Sequence, residues 1–109
     1  MRVILDECVP RPLGRELVGH SVTTVVKAGW AGVVNGQLLK LIEGNFDAFI
    51  TTDKSLPNQH SIASLSFGVV ILRAASNDLD DLKPLVPQIL ATLATIKPGQ
   101  LAIAAAPGF

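Results

Sequence analysis

The chain is poor in the residues that staple, target or anchor a protein. It has one cysteine, Cys8, in 109 residues. No intramolecular disulfide can form, and a reducing compartment is the natural setting. Its two histidines, His20 and His60, have no Cys or His partner at ligand spacing, which removes the usual zinc sites. Neither G-x-G-x-x-G nor the Walker pattern is present, so there is no Gly-rich phosphate loop. No apolar run approaches the roughly 20 residues that span a bilayer. Asp6 and Glu7 interrupt the stretch where the apolar part of a signal peptide would run. The expectation is a cytoplasmic protein without membrane contact. The formal net charge is +0, from nine basic and nine acidic residues. Overall charge therefore advertises no nucleic acid, and such binding must come from local clustering. There is no internal repeat, low-complexity tract or linker.

What is present is apolar sequence in short blocks. Hydrophobic residues make up 49% of the chain and charged residues 17%. That suits one packed domain over 1–109 rather than a disordered chain. The mean hydropathy of +0.44 points either to strands buried on both faces or to an apolar surface used in self-association, such as a homodimer. Strands are expected at 2–6 (RVILD), 21–26 (SVTTVV), 47–52 (DAFITT), 67–72 (FGVVIL) and 100–105 (QLAIAA). Residues 10–18 read as a short helix begun by Pro10 and Pro12 and ended by Gly19. Residues 36–44 place Leu38, Leu41 and Ile42 on one helix face, with Asn35 as N-cap and Gly44 as terminator. A further short helix fits 58–64. Residues 78–95 carry a long apolar stripe, Leu82 to Leu93, which reads as core or as a dimer face. Pro84 and Pro87 sit awkwardly in it, so that helix is expected to begin near Pro84.

Alternating strands and helices with nearly continuous apolar strands predict an α/β fold. The expected form is a three-layer α/β/α arrangement around a mostly parallel five-stranded sheet, in strand order 2-1-3-4-5. Ligands of such sheets bind outside the carboxyl ends of the strands, where the strand order reverses. In this order that point lies between the first and third strands. The first ends in Asp6-Glu7 and the third runs into Asp53. Neighbouring strands are about 4.8 Å apart, so Asp6 and Asp53 can share one hard cation such as Mg²⁺ or Mn²⁺. Each acid alone reads equally well as a turn former; their coincidence at one edge is what favours a site.

The opening VILDECVPRPL, the GWAG stretch, the GQLLKLI helix, FITTDKSL and VVILR together resemble the small PIN-like proteins. That family is usually written with an LLDENLP opening, a G-x-x-D-E-E-L-L segment and a V-T-x-D-K-D-F segment. The resemblance covers roughly residues 1–75. It implies a metal-dependent ribonuclease with Mg²⁺ or Mn²⁺, an RNA substrate and, in toxin-type members, a small antitoxin protein as partner. Asp6 takes the place of the first-strand acid and Asp53 that of the acid after the T-x strand. Glu7 matches the Glu of the opening, so that Asp6, Glu7 and Asp53 would be catalytic and Asp6 and Asp53 would hold the metal. Arg11 matches a position that is often basic, and Lys54 follows Asp53 as in the family. Arg11, Asn35 and Lys54 would meet substrate. The chain departs at Gly32-Val33-Val34-Asn35-Gly36-Gln37-Leu38-Leu39, where the family's acids are absent, and at Ser55-Leu56, where Asp-Phe is usual. Glu43 and Asp47 are poorly placed to compensate. The acid-poor segment suits an alternative: a module that binds RNA or protein without cutting. A phosphate-handling domain of the response-regulator type would want Lys where Arg73 stands.

The remaining candidates read as structural. His20 follows a helix-ending Gly and suits a helix C-terminus. His60 belongs to a polar loop, Cys8 reads as a small buried hydrophobe, and Trp30 as a packing anchor.

Overall fold

The computed structural model describes residues 1–109. Five strands form one all-parallel sheet in the order β2-β1-β3-β4-β5. They are β1 (Arg2–Leu5), β2 (Ser21–Thr24), β3 (Ala48–Thr51), β4 (Gly68–Arg73) and β5 (Leu101–Ala105). Four α-helices are present: α1 (Asn35–Ile42), α2 (Leu56–Gln59), α3 (Leu79–Leu82) and α4 (Val86–Leu93). The arrangement is consistent with a PIN-like α/β/α fold. No helix is long and apolar enough to cross a membrane.

The three layers follow from alternation along the strands. Successive strand residues face opposite sides of the sheet, so a strand apolar at every position is covered on both. Val3 and Leu5 of β1 join Ala48, Ile50, Val70 and Leu72 in one core, closed by Leu82, Leu85, Ile89 and Leu93. Ile4 joins Phe49, Val69 and Ile71 in the other, closed by Leu38, Leu39 and Ile42 of α1 and Leu56 of α2. The 82–93 stripe is therefore core.

Several elements differ from expectation for local reasons. Residues 10–18 do not form an α-helix; Arg11–Glu16 is a 3-10 turn, with Leu13 N bonded to Pro10 O and Leu17 N to Gly14 O. Pro10 and Pro12 withhold two donors and Gly14 is a poor helix former, so the tighter and shorter form prevails. The strand expected over 21–26 ends at Thr24, where Ala28 N turns back to Thr24 O. Over 78–95 the chain forms α3, a 3-10 turn at Lys83–Leu85, and then α4, whose start at Val86 lies close to the one expected near Pro84. Pro84 and Pro87 lack the N–H groups that a continuous helix needs, and they are the second residues of the 3-10 turn and of α4, where no such donor is required. The helix expected at 58–64 is instead the four-residue α2, Leu56–Gln59, and residues 60–64 are not helical. Gly44, at φ +76° just after α1, is the expected terminator. A Cβ on Gly99 would lie 2.7 Å from the Ala63 carbonyl oxygen, and φ there is +79°; this turn into β5 requires glycine.

Candidate functional site: two strand-end carboxylates joined by Thr51

Asp6 leaves the carboxyl end of β1, and its N–H bonds to Ile50 O of β3. Asp53 follows β3 by two residues. The two strands are neighbours at the point where the strand order reverses, so both acids stand at the sheet edge that such folds use for ligands; Asp6 lines a cleft there, and Asp53 lines none. Thr51 joins them. Its hydroxyl donates to Asp6 Oδ2 at 2.7 Å and accepts from the Asp53 N–H at 3.0 Å. Thr51 is the only polar residue in the buried core. Alternation explains its place: Phe49 and Thr51 face the same side, and the next residue on that side is Asp53.

Each carboxylate is held by further donors. Asp6 Oδ1 accepts from the Glu7 N–H at 2.9 Å, and the Cys8 thiol lies 3.7 Å from Asp6 Oδ2. Cys8 is half-buried and packs against the core, as expected, and its sulfur also lies 3.8 Å from the Thr51 hydroxyl beside the acid pair. Asp53 Oδ1 accepts from the Ser55 N–H at 3.0 Å and the Ser55 hydroxyl at 2.6 Å. Asp53 Oδ2 accepts from Asn35 Nδ2 at 3.1 Å. The Ser55 hydroxyl, above all, holds the Asp53 carboxyl below its ordinary value. Partial burial opposes it, while the Ser55 N–H, the Asn35 amide and the positive charge of His60 add to it.

Asn35 does not cap α1 as its sequence position suggests. Val34 is the N-cap and makes no side-chain capping bond. Asn35 is the first helical residue, and its amide turns to the stronger acceptor, the ionised Asp53. It is thereby brought to the site although it lies 18 residues away in sequence.

The other expected site residues divide. Glu7 is exposed, and its carboxylate accepts the Gly32 N–H at 2.7 Å, which ties the strand end to the Trp30–Gly32 loop. Arg11 lines a cleft of about 460 Å³ together with Asp6, Glu7 and Lys27. Lys54 lies elsewhere, in a groove with Ser55 and Arg73. Arg11 and Lys54 thus flank different openings and do not form one phosphate clamp. No group of three or more His, Cys, Asp or Glu side chains converges as a metal cluster. Glu43 accepts the Ser66 N–H, and Asp47 holds Arg2 at the opposite sheet edge, so neither replaces the missing acids. His20 does not serve a helix end; its Nδ1 is 3.3 Å from the terminal amine.

Thr51, Ser55 and Lys27 were not expected at the site, and His60 was expected only as part of a polar loop. The parity of β3 was the available signal for Thr51. His60 had none beyond its polar setting; it lies near the start of α1, where a Cβ on Gly36 would sit 3.6 Å from its ring. No family model, curated protein or solved structure matches the chain.

Two outcomes follow from this geometry. Thr51→Val removes the shared hydroxyl and leaves the buried ends of two hydrogen bonds without a partner. A loss of about 1–3 kcal/mol is expected in urea denaturation, with Thr51→Ser retaining most of the stability. Ser55→Ala is expected to destabilise the protein at neutral pH. The sign follows from linkage: a carboxyl whose folded value is depressed contributes stability above its unfolded value, near 3.9. That contribution is lost as pH falls through the folded value. The gap between wild type and Ser55→Ala, read as thermal midpoints, should therefore narrow below about pH 4. A gap constant from neutral to strongly acidic pH would contradict this.

Proposed function

We propose that the chain is a PIN-like ribonuclease dependent on Mg²⁺ or Mn²⁺, with Asp6 and Asp53 as its metal ligands. The observation that supports this most is the pair of carboxylates from adjacent strands, coupled through Thr51 at the switch point. The donor set suits a hard cation, because it offers carboxylate and amide oxygens and no pair of imidazoles or thiolates. Mg²⁺ is commonly held by only one or two carboxylates, with substrate phosphates and water filling the remainder. When bound, such an ion stabilises charge on a phosphodiester and makes water more acidic.

The chain's own residues then have distinct tasks. Thr51 fixes Asp6, while Ser55 and Asn35 fix Asp53, so the carboxylates are positioned before substrate arrives. Glu7, exposed at the same cleft, is the acceptor that orients a water. Arg11 and Lys27 meet the phosphate backbone in the cleft that begins at Asp6. The cleft thus sets two cations, Arg11 and Lys27, beside two carboxylates, Asp6 and Glu7. A small antitoxin protein is the partner that a toxin-type reading implies.

A second reading is a PIN-like module that binds RNA or protein without cutting. It is favoured by the neutral Asn35 where an acid is usual, and by the protein donors already on both oxygens of Asp53. Incubation of a labelled single-stranded RNA with the protein and Mn²⁺ separates the two. Cleavage that stops on chelation with EDTA is expected. Intact RNA with the folded protein would leave the binding module as the better account.

A further inference from the structure

We propose that the open edge of β5 binds an extended peptide segment, apolar at alternate positions and acidic at one end, as a sixth strand. β5 pairs only with β4. Val69 N bonds to Gln100 O, and Ala106 N to Arg73 O. Parallel pairing then turns the N–H and C=O groups of residues 102 and 104 toward β4 and those of 101, 103 and 105 outward.

The outward edge is closed at one residue. The Gln88 side-chain amide, from α4, donates to Ala105 O at 2.8 Å and accepts from Ala105 N at 3.2 Å. It thus imitates one peptide unit of a neighbouring strand. Leu101 and Ile103 have no such cover. Their backbone groups are free on that side, and their side chains are 41% and 53% exposed. Natural sheets usually blunt an edge with charge, proline or a covering element; here two consecutive outward pairs carry an aliphatic surface instead.

That surface continues into a groove of about 400 Å³ between β5 and α2. Ile71, Leu101 and Ile103 provide its apolar part and Pro57 faces them. Lys54 and Arg73 stand on the same groove. Neither has an acidic partner, since the ion pairs of the protein are Arg2–Asp47 and Lys83–Glu16. Arg73 is in register with Ala105, so the cations lie toward the carboxyl end of β5. An added strand gains main-chain hydrogen bonds from the edge and side-chain contacts from the groove. Apolar residues at alternate positions meet Leu101 and Ile103, and acids at the end near Arg73 meet the two cations.

Charge decides against a second copy of the chain as the occupant. Antiparallel pairing of two β5 strands would bring Arg73 and Lys54 toward the partner's segment before β5. In this sequence that segment is Lys97-Pro98-Gly99-Gln100, a cation with no acid.

The test uses the intact protein, labelled with ¹⁵N, and four synthetic peptides. Two are Ac-Thr-Val-Thr-Val-Thr-Glu-Glu-NH₂ and its reverse, for parallel and antiparallel addition. The other two carry Lys in place of Glu. One Glu peptide is expected to shift the Leu101 and Ile103 amide signals and to slow their hydrogen exchange. Its affinity should fall at least about tenfold with Arg73→Glu, the loss of a charge-assisted contact. Ile103→Pro should also abolish binding; its N–H faces away from β4, so the sheet loses no bond. Ile103→Lys repeats the block should the proline variant misfold. The proposal is overturned if neither Glu peptide perturbs β5, or if the Lys peptides bind as well. It is equally overturned if the free protein sediments as a dimer that Ile103→Lys dissociates.

Discussion

Asp6→Asn is expected to lower Mn²⁺-dependent RNA cleavage by at least about 10²-fold, a typical cost for removing one preorganised electrostatic group from a site. The substitution keeps the size of the side chain. Its amide oxygen can still accept the Glu7 N–H, and the Thr51 hydroxyl, now 2.7 Å from Oδ2, can either donate to the new group or accept from it. What is lost is a full negative charge at the end of β1. Asp53→Asn should act similarly, and with the first change should cost much less than the product of the two, because residues that hold one ion act as a unit. Asp47→Asn is the comparison. That acid binds Arg2 at the far edge of the sheet, and its loss should leave cleavage unchanged. Equal rates for wild type and Asp6→Asn would remove the assignment of the site.

Phe49→Ala is expected to cost about 3–5 kcal/mol, the range for deleting a fully buried aromatic ring. Against a usual total of about 5–15 kcal/mol, that is a large share of the protein's stability. The size of the effect comes from position. Phe49 is completely buried at the centre of β3, flanked in register by Ile4 of β1 and Val69 of β4. Its ring belongs to the core that Leu38 and Ile42 of α1 and Leu56 of α2 close. A cavity there loosens α1, which delivers Asn35, and the turn that delivers Asp53, so binding at the site should weaken along with stability. Urea denaturation gives the number, with an unchanged slope showing that the folded state is otherwise intact. Val26→Ala, at a side chain 60% exposed, should stay within about 0.5 kcal/mol of wild type.

The sheet was legible because its strands are short, β-branched and apolar on both faces, a pattern that few folds other than a covered parallel sheet produce. Strand order and the meeting of Asp6 with Asp53 followed from topology alone. The helices were less legible: Pro84 and Pro87 pointed to a late start for the helix under the Leu82–Leu93 stripe, and α4 begins at Val86, but the same proline chemistry at Pro10 and Pro12, with Gly14, turned the helix read over 10–18 into a 3-10 turn. Asn35 was read as a cap because capping is a local rule, and its real partner, Asp53, is reached only through the fold. Ser55, a small polar residue with no functional signal of its own in the sequence, is the donor that does most to lower the Asp53 carboxyl. Arg11 and Lys27 line one cleft with Asp6 and Glu7, a grouping that no linear spacing reveals.

If Asp6 and Asp53 together bind one divalent ion, as proposed above, calorimetric titration of the intact protein with Mn²⁺ detects it. One ion per chain is expected, with binding lost in Asp6→Asn and in Asp53→Asn. Asn35→Asp sharpens the result. It replaces a donor to Asp53 by a second carboxylate, so it should destabilise the metal-free protein, bind Mn²⁺ more tightly than wild type and recover its thermal midpoint when the ion is added. A folded wild-type protein that gives no binding heat at millimolar Mn²⁺, or an affinity untouched by either aspartate substitution, would contradict the account.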